Sequence, residues 1–175
     1  SSKARLAPVH FKGSTGDYSN IGSKINLGYN SFHYGGGGIT FTLSDCLKVL
    51  RFFFKNIKSV GTHNTIAQMF KNQIGDCDIL SLKSYKHRLA LDYEMHPNVK
   101  KSWGYGLLIN EQPLAHGRSA GSGSWAGVLN TYFWIDHKND LAGVFLTQIL
   151  PCYSHRIVRV FEYFEELSYK YFVKS

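Results

Sequence analysis

Apolar positions along this chain follow two rhythms. From Leu43 to Asn56 the spacing is helical: Leu43, Leu47, Leu50 and Phe54 share one face, behind a capping arrangement of Thr42 and Asp45. Thr62 to Asn72 predicts a second helix, with Ile66, Met69 and Phe70 on one side. His155 to Phe172 predicts a third, whose stripe is Ile157, Val160, Phe161, Phe164, Leu167 and Tyr171. Glu162, Glu165, Glu166 and Lys170 fall largely off that stripe. Elsewhere the rhythm shortens. Trp103 to Asn110 reads as a strand with Glu111-Gln112-Pro113 as its turn. Val128 to Ile135 and Leu141 to Leu150 are rich in aromatic and β-branched residues. They flank the polar turn His137-Lys138-Asn139-Asp140 and read as a hairpin of buried strands.

The remaining segments punctuate. Gly13, Gly16, Gly22 and Gly28, with Ser, Asn and Asp between them, give residues 1–34 the chemistry of a loop. Residues 75–101 are poorly patterned and read as loop with one helical turn at most. A single domain over 1–175 results: a loop-rich approach at 1–34, a mainly helical part at 35–101, and strands plus a closing helix at 103–175. The fold class is α/β or α+β, an antiparallel sheet covered by helices. Three strands are few for 175 residues, so the sheet is expected to be completed from outside the chain.

Composition narrows the function classes. At 43% hydrophobic and 15% aromatic residues the chain can bury a core. No run approaches the ~20 apolar residues of a membrane span. Cys46, Cys77 and Cys152 are widely spaced, with no CxxC pair, and read as free, mostly buried thiols of a reducing compartment, which favours the cytoplasm. No cofactor is expected, and no metal, since the eight histidines form neither HxxxH nor HExxH on a helix-like segment. The formal charge of +8 admits nucleic acid as a partner, but the basic residues are scattered, and neither of their densest patches, Lys83–Arg88 and Lys100–Lys101, interleaves aromatics in a way that suggests base stacking. A solvated basic surface is expected.

Three motifs could carry chemistry. Gly117-Arg118-Ser119-Ala120-Gly121 matches the G-x-S-x-G nucleophile elbow, with Asp140 and His155 as conceivable partners. An elbow needs a helix after its serine, whereas Ser-Gly-Ser-Trp and a strand follow here. Ser119 therefore reads as a loop serine and stays only as the alternative nucleophile. Gly35 to Gly38 lack the Gly-Lys-Ser/Thr of a phosphate loop. Ser124-Trp125-Ala126-Gly127 opens a strand whose edge N–H groups could bind a substrate.

The order of several segments carries a resemblance: RLAPVH at 5–10, FHYGGGG at 32–38 leading into TFTLSDCLKVLRFF, TIAQMFKNQIG at 65–75, WGYGLLI at 103–109, and GRSAGSGSWAGVLNTYFWIDHKNDLAGVFLTQILP at 117–151. This arrangement resembles the serine β-lactamase-related family of class C β-lactamases, D-alanyl-D-alanine carboxypeptidases and esterases or transesterases, especially its fungal, esterase-like branch. The resemblance implies an antiparallel sheet flanked by helices, packed against a helical region with the active site between them. It implies a serine in an SxxK motif that forms an acyl-enzyme, and a tyrosine of a Y-x-N motif beside it. It also implies a third motif on a sheet strand, here Trp125-Ala126-Gly127, with the Val128 N–H as oxyanion donor.

The departures are informative. No Ser, Thr or Cys is followed three positions later by Lys, so SxxK is absent. Tyr18-Ser19-Asn20 spells Y-x-N but sits where the family's motif does not, and reads as a coincidence. The chain thus resembles the C-terminal half of such a hydrolase, inactive alone, whose substrate is a small ester or amide once an N-terminal half completes it. Neither a membrane nor nucleic acid is an expected partner. The alternatives are a non-catalytic binding or scaffold module and a truncated remnant that retains the fold.

Overall fold

The computed structural model describes residues 6–22, 40–57 and 65–173. In chain order these form β1 (Val9–Lys12), β2 (Tyr18–Gly22), α1 (Leu43–Ile57), α2 (Thr65–Met69), β3 (Lys101–Trp103), β4 (Leu108–Asn110), β5 (Ser122–Gly127), β6 (Thr131–Asp136), β7 (Leu141–Phe145), β8 (Ile149–Leu150) and α3 (His155–Phe172). The main sheet has the order β3-β4-β5-β6-β7, and every neighbouring pair in it is antiparallel. A smaller sheet, β2-β1-β8, joins the beginning of the chain to the end of the strand region, with β1 parallel to β8.

The helices form for local reasons visible in the sequence. Thr42 caps α1: its hydroxyl accepts the Asp45 N–H at 3.2 Å, and the Asp45 carboxylate accepts the Thr42 N–H at 3.3 Å. Leu50 is the buried residue of α1's apolar face, while Leu43 and Leu47 remain exposed. The second helix is shorter than its pattern suggests, ending at Met69. Its first predicted residues, and Gly35 to Gly38, lie outside the described residues.

α3 covers one face of the main sheet. Tyr132 stacks on Phe161 with ring centroids 4.6 Å apart, and Trp134 meets Phe161 and Phe164 edge-on. Gly143 stands opposite Trp134 on β7, and a Cβ there would run into the indole, so only glycine lets the ring lie flat across the sheet. Phe70, just past α2, covers the opposite face at Gly123, where a Cβ would stand 2.8 Å from the phenyl ring. The fully buried Trp134 and Ile135 thus lie on a strand inside a helix–sheet–helix sandwich.

Five sequence expectations are corrected. Residues 1–34 are not all loop: Gly13 and Gly16 make the turn of the β1–β2 hairpin, with Gly16 at φ 91°. The strand expected over 103–110 is itself a hairpin, because the chain reverses where the Gly104 N–H donates to the Leu107 carbonyl at 2.8 Å. The runs Val128–Ile135 and Leu141–Leu150 are each cut. Residues 128–130 belong to the β5–β6 turn, and β8 leaves the main sheet to pair with β1. The buried face of α3 is Val158, Phe161, Glu165, Ser168 and Tyr169; Val160, Phe164 and Tyr171 are exposed. The thiols differ too, since Cys152 is buried, Cys46 half-buried and Cys77 exposed.

Candidate functional site

The two sequence motifs near residue 120 meet different fates. Arg118 is fully buried, and its guanidinium grips Glu165 of α3 through two bonds of 2.5 and 2.7 Å. Its Nη1 lies 3.3 Å from His96 Nε2, and His116 Nε2 lies 3.2 Å from Glu165. Burial works against the ionised Glu165, but Arg118 and His116 outweigh it and lower its pKa to about 2. Burial and the neighbouring Arg118 charge lower the His96 pKa to about 3.

Ser119 sits beside this ion pair. Its N–H donates to the Asp136 carboxylate at 2.8 Å, and its hydroxyl bonds the Asn139 amide at 2.9 Å. Asp136 also accepts the Tyr169 hydroxyl at 2.9 Å and the N–H groups of Lys138 and Asn139 at 3.1 Å. Burial opposes its ionisation, yet these donors hold the carboxyl below its usual range. The chain continues from Ser119 into β5, not into a helix. His155 is exposed at the start of α3, and Asp140 ends the β6–β7 turn. The elbow match therefore falls on a knot that ties one loop to α3 and to the β6–β7 turn.

Trp125, Ala126 and Gly127 occupy the end of β5, and Val128 opens the turn beyond it. On one side β5 pairs with β6 through Gly127↔Thr131, but on the other its ladder with β4 ends at Leu108↔Ser124. The Gly127 carbonyl accepts the Asn130 N–H at 3.0 Å across the turn, on the β6 side. Strand alternation then directs the Ala126 N–H and C=O to the side where β4 has ended. Among the described residues, no backbone hydrogen bond outside the ladders uses the Val128 N–H. Trp103, at the end of β3, meets Trp125 edge-on with centroids 4.5 Å apart. Sequence reasoning read Trp103 only as a strand residue. The strand end thus combines open backbone polar groups with an aromatic pair, an arrangement that can hold a carbonyl compound with an apolar tail.

Other sequence candidates lie elsewhere. Tyr18, Ser19 and Asn20 are on β2 in the small sheet, opposite Lys12, Phe11 and His10. A concavity of about 540 Å³ is lined by Phe11, Ile21, Lys86, His87, Arg88, Leu89 and Leu150, and shares no residue with β5. Among the described residues there is no cluster of His, Cys, Asp or Glu that could hold a metal ion, and no helix long and apolar enough to cross a membrane.

Comparison by sequence finds no matching protein-family profile and no matching curated protein. Comparison of structures does find matches. A mutant of simvastatin synthase (LovD) from Aspergillus terreus aligns with a TM-score of 0.75 and 19% identity, over 97% of this chain and 44% of that one. The unliganded selenomethionyl enzyme from the same organism aligns at 0.74 and 19%, over 98% and 44%. A second mutant aligns at 0.68 and 19%, over 95% and 42%. The chain spans less than half the length of these structures, in keeping with the C-terminal portion implied by its motifs. Strand order, helix placement and these alignments agree: the chain has the β-lactamase-like fold of simvastatin synthase, present in part.

Proposed function

We propose that this chain is the C-terminal portion of a β-lactamase-fold enzyme that hydrolyses or transfers acyl groups of small esters or amides, and that it supplies one wall of the active site. The observation that carries this reading is the open end of β5, where Ala126 to Val128 run on past the last pair with β4 beside the Trp103–Trp125 pair. In this reading the Val128 N–H donates to the carbonyl oxygen of the bound acyl group. That bond strengthens as negative charge collects on the oxygen during nucleophilic attack, which lowers the barrier more than it tightens ground-state binding. The two indoles give the acyl chain an apolar rest. The attacking serine and its lysine come from a part of the fold beyond this chain, because no residue pair here has SxxK spacing. Ser119 is unsuited to the task, since its hydroxyl is held by the Asn139 amide.

The chain alone is accordingly inactive. Incubated with p-nitrophenyl butyrate, it should release nitrophenol no faster than buffer does. A clear rate above buffer that vanishes in Ser119→Ala would overturn this reading and restore the elbow.

A further inference from the structure

The turn that follows Trp125-Ala126-Gly127 is held with unusual thoroughness for a surface turn. Val128 is half exposed, yet two residues later Asn130 is completely buried, at φ 57°. Its side-chain amide donates to the carbonyls of Ile149 at 2.9 Å and Pro151 at 2.7 Å, while its Oδ1 accepts the Tyr132 hydroxyl at 2.9 Å. Two carbonyls face the nitrogen and a hydroxyl faces the oxygen, so the amide has one orientation and every hydrogen on it is used. The backbone is pinned as well. The Asn130 N–H closes the turn onto the Gly127 carbonyl at 3.0 Å, and the Cys152 thiol donates to the same carbonyl at 3.3 Å. The Thr147 hydroxyl reaches the carbonyls of Leu129 at 2.5 Å and Asn130 at 3.1 Å. Gly127, Leu129 and Asn130 are all tied through their carbonyls, and among the described residues Val128 between them has no backbone hydrogen bond outside the ladders.

We propose that Asn130 is a positioning residue: by locking the Gly127–Asn130 turn to the segment 147–151, it fixes where the Val128 N–H stands. This rests on the reading of Val128 as the carbonyl-binding donor. A hydrogen bond that must meet developing charge is effective only if its donor is already in place, because a mobile turn would have to be ordered during the reaction. Asparagine suits the position twice over. It tolerates a positive φ better than other residues with a side chain, and its amide spans two carbonyls and a hydroxyl at once.

The two roles separate by substitution. Asn130→Gly keeps the backbone conformation accessible and removes the three side-chain bonds. Tyr132→Phe removes one bond to Asn130 and leaves its two amide bonds to Ile149 and Pro151. The test is nitrogen-15 amide spectroscopy of the 175-residue chain, titrated with butyrate as a carboxylate stand-in for the acyl oxygen. In the unaltered chain the Val128 amide resonance should shift on titration with butyrate. In Asn130→Gly the Val128 shift on titration should shrink and the butyrate Kd should rise about tenfold, while the Trp134 indole signal stays in place. Tyr132→Phe should lower Tm with little change at Val128, which separates positioning from stability. A Val128 amide that responds to butyrate equally in the unaltered chain and in Asn130→Gly would overturn the inference alone. No response at Val128 in the unaltered chain would defeat the donor reading, and this inference with it.

Discussion

Ser119 and Trp125 stand six positions apart in one Gly/Ser-rich segment, yet their surroundings are built to opposite ends. Around Ser119 the polar groups are turned inward and engaged. Arg118 holds Glu165, Asp136 gathers N–H groups and the Tyr169 hydroxyl, and the serine hydroxyl meets Asn139. Around Trp125 the strand runs past the end of its neighbour and keeps backbone polarity open beside two indoles. A motif is therefore not a site. A group whose hydrogen-bonding capacity is spent on the fold has little left for a substrate, whereas an unpaired strand edge has capacity to offer.

The strongest way to break this contrast is to attack the ion pair. Arg118→Ala leaves the Glu165 carboxylate buried without its main counter-charge, and should cost about 3 kcal/mol or more of stability. Thermal unfolding would read this directly, and a variant as stable as the parent would show that the knot is not structural. Acid should act on the same region. The pKa values of His96 and Glu165 are both depressed on folding, from 6.5 to about 3 and from 4.5 to about 2. The unfolded chain therefore binds more protons across these ranges, so stability falls as pH drops from about 6.5 toward 3 through His96. It falls again from about 4.5 toward 2 through Glu165. In a series of Tm values against pH, His96→Gln should flatten the upper window and leave the lower one.

Smaller effects sharpen the other side. Trp125→Ala removes an edge-on indole contact worth about 0.5–1.5 kcal/mol, together with the burial of a half-buried ring. In the butyrate titration it should weaken binding several-fold, so that binding drops more than stability does. An unchanged Kd would remove Trp125 from the site. Ser119→Ala should change least, by about 1 kcal/mol for one lost side-chain hydrogen bond, with no change in ester turnover.

The local elements were legible in the chain because local chemistry makes them. The Thr42–Asp45 cap, the α1 and α3 spans and the turn at 137–140 all follow from residues within a few positions of one another. The aromatic run of β6 announced a buried strand, and Trp134 is fully buried. Reading failed where partners are distant in sequence. The apolar stripe of α3 runs through Val160 and Tyr171 in the sequence because hydrophobicity is the only guide there. Glu165 turns inward because Arg118, 47 positions earlier, waits beneath it. The hairpin at residues 9–22 was hidden for a similar reason, since one side of it is closed by β8 from the far end of the strand region. Asn130 carried no signal beyond its place in an apolar run, and its partners at 149 and 151 are brought there by the fold.

The sequence by itself thus determined the α1 and α3 helices, the central hairpin turn and the absence of SxxK spacing, but it placed Trp125-Ala126-Gly127 at the opening of a strand that they instead precede, at the end of β5. Periodicity, capping and motif spacing are properties of neighbouring residues, and they need no fold to be read. Tertiary structure alone decided which polar groups are spent and which are open. That depends on where β4 stops against β5, on α3 bringing Glu165 to Arg118, and on residues 147–151 folding back over Asn130. Hydrogen-bonding capacity is consumed by whatever comes near in space, and only the packed chain says what that is.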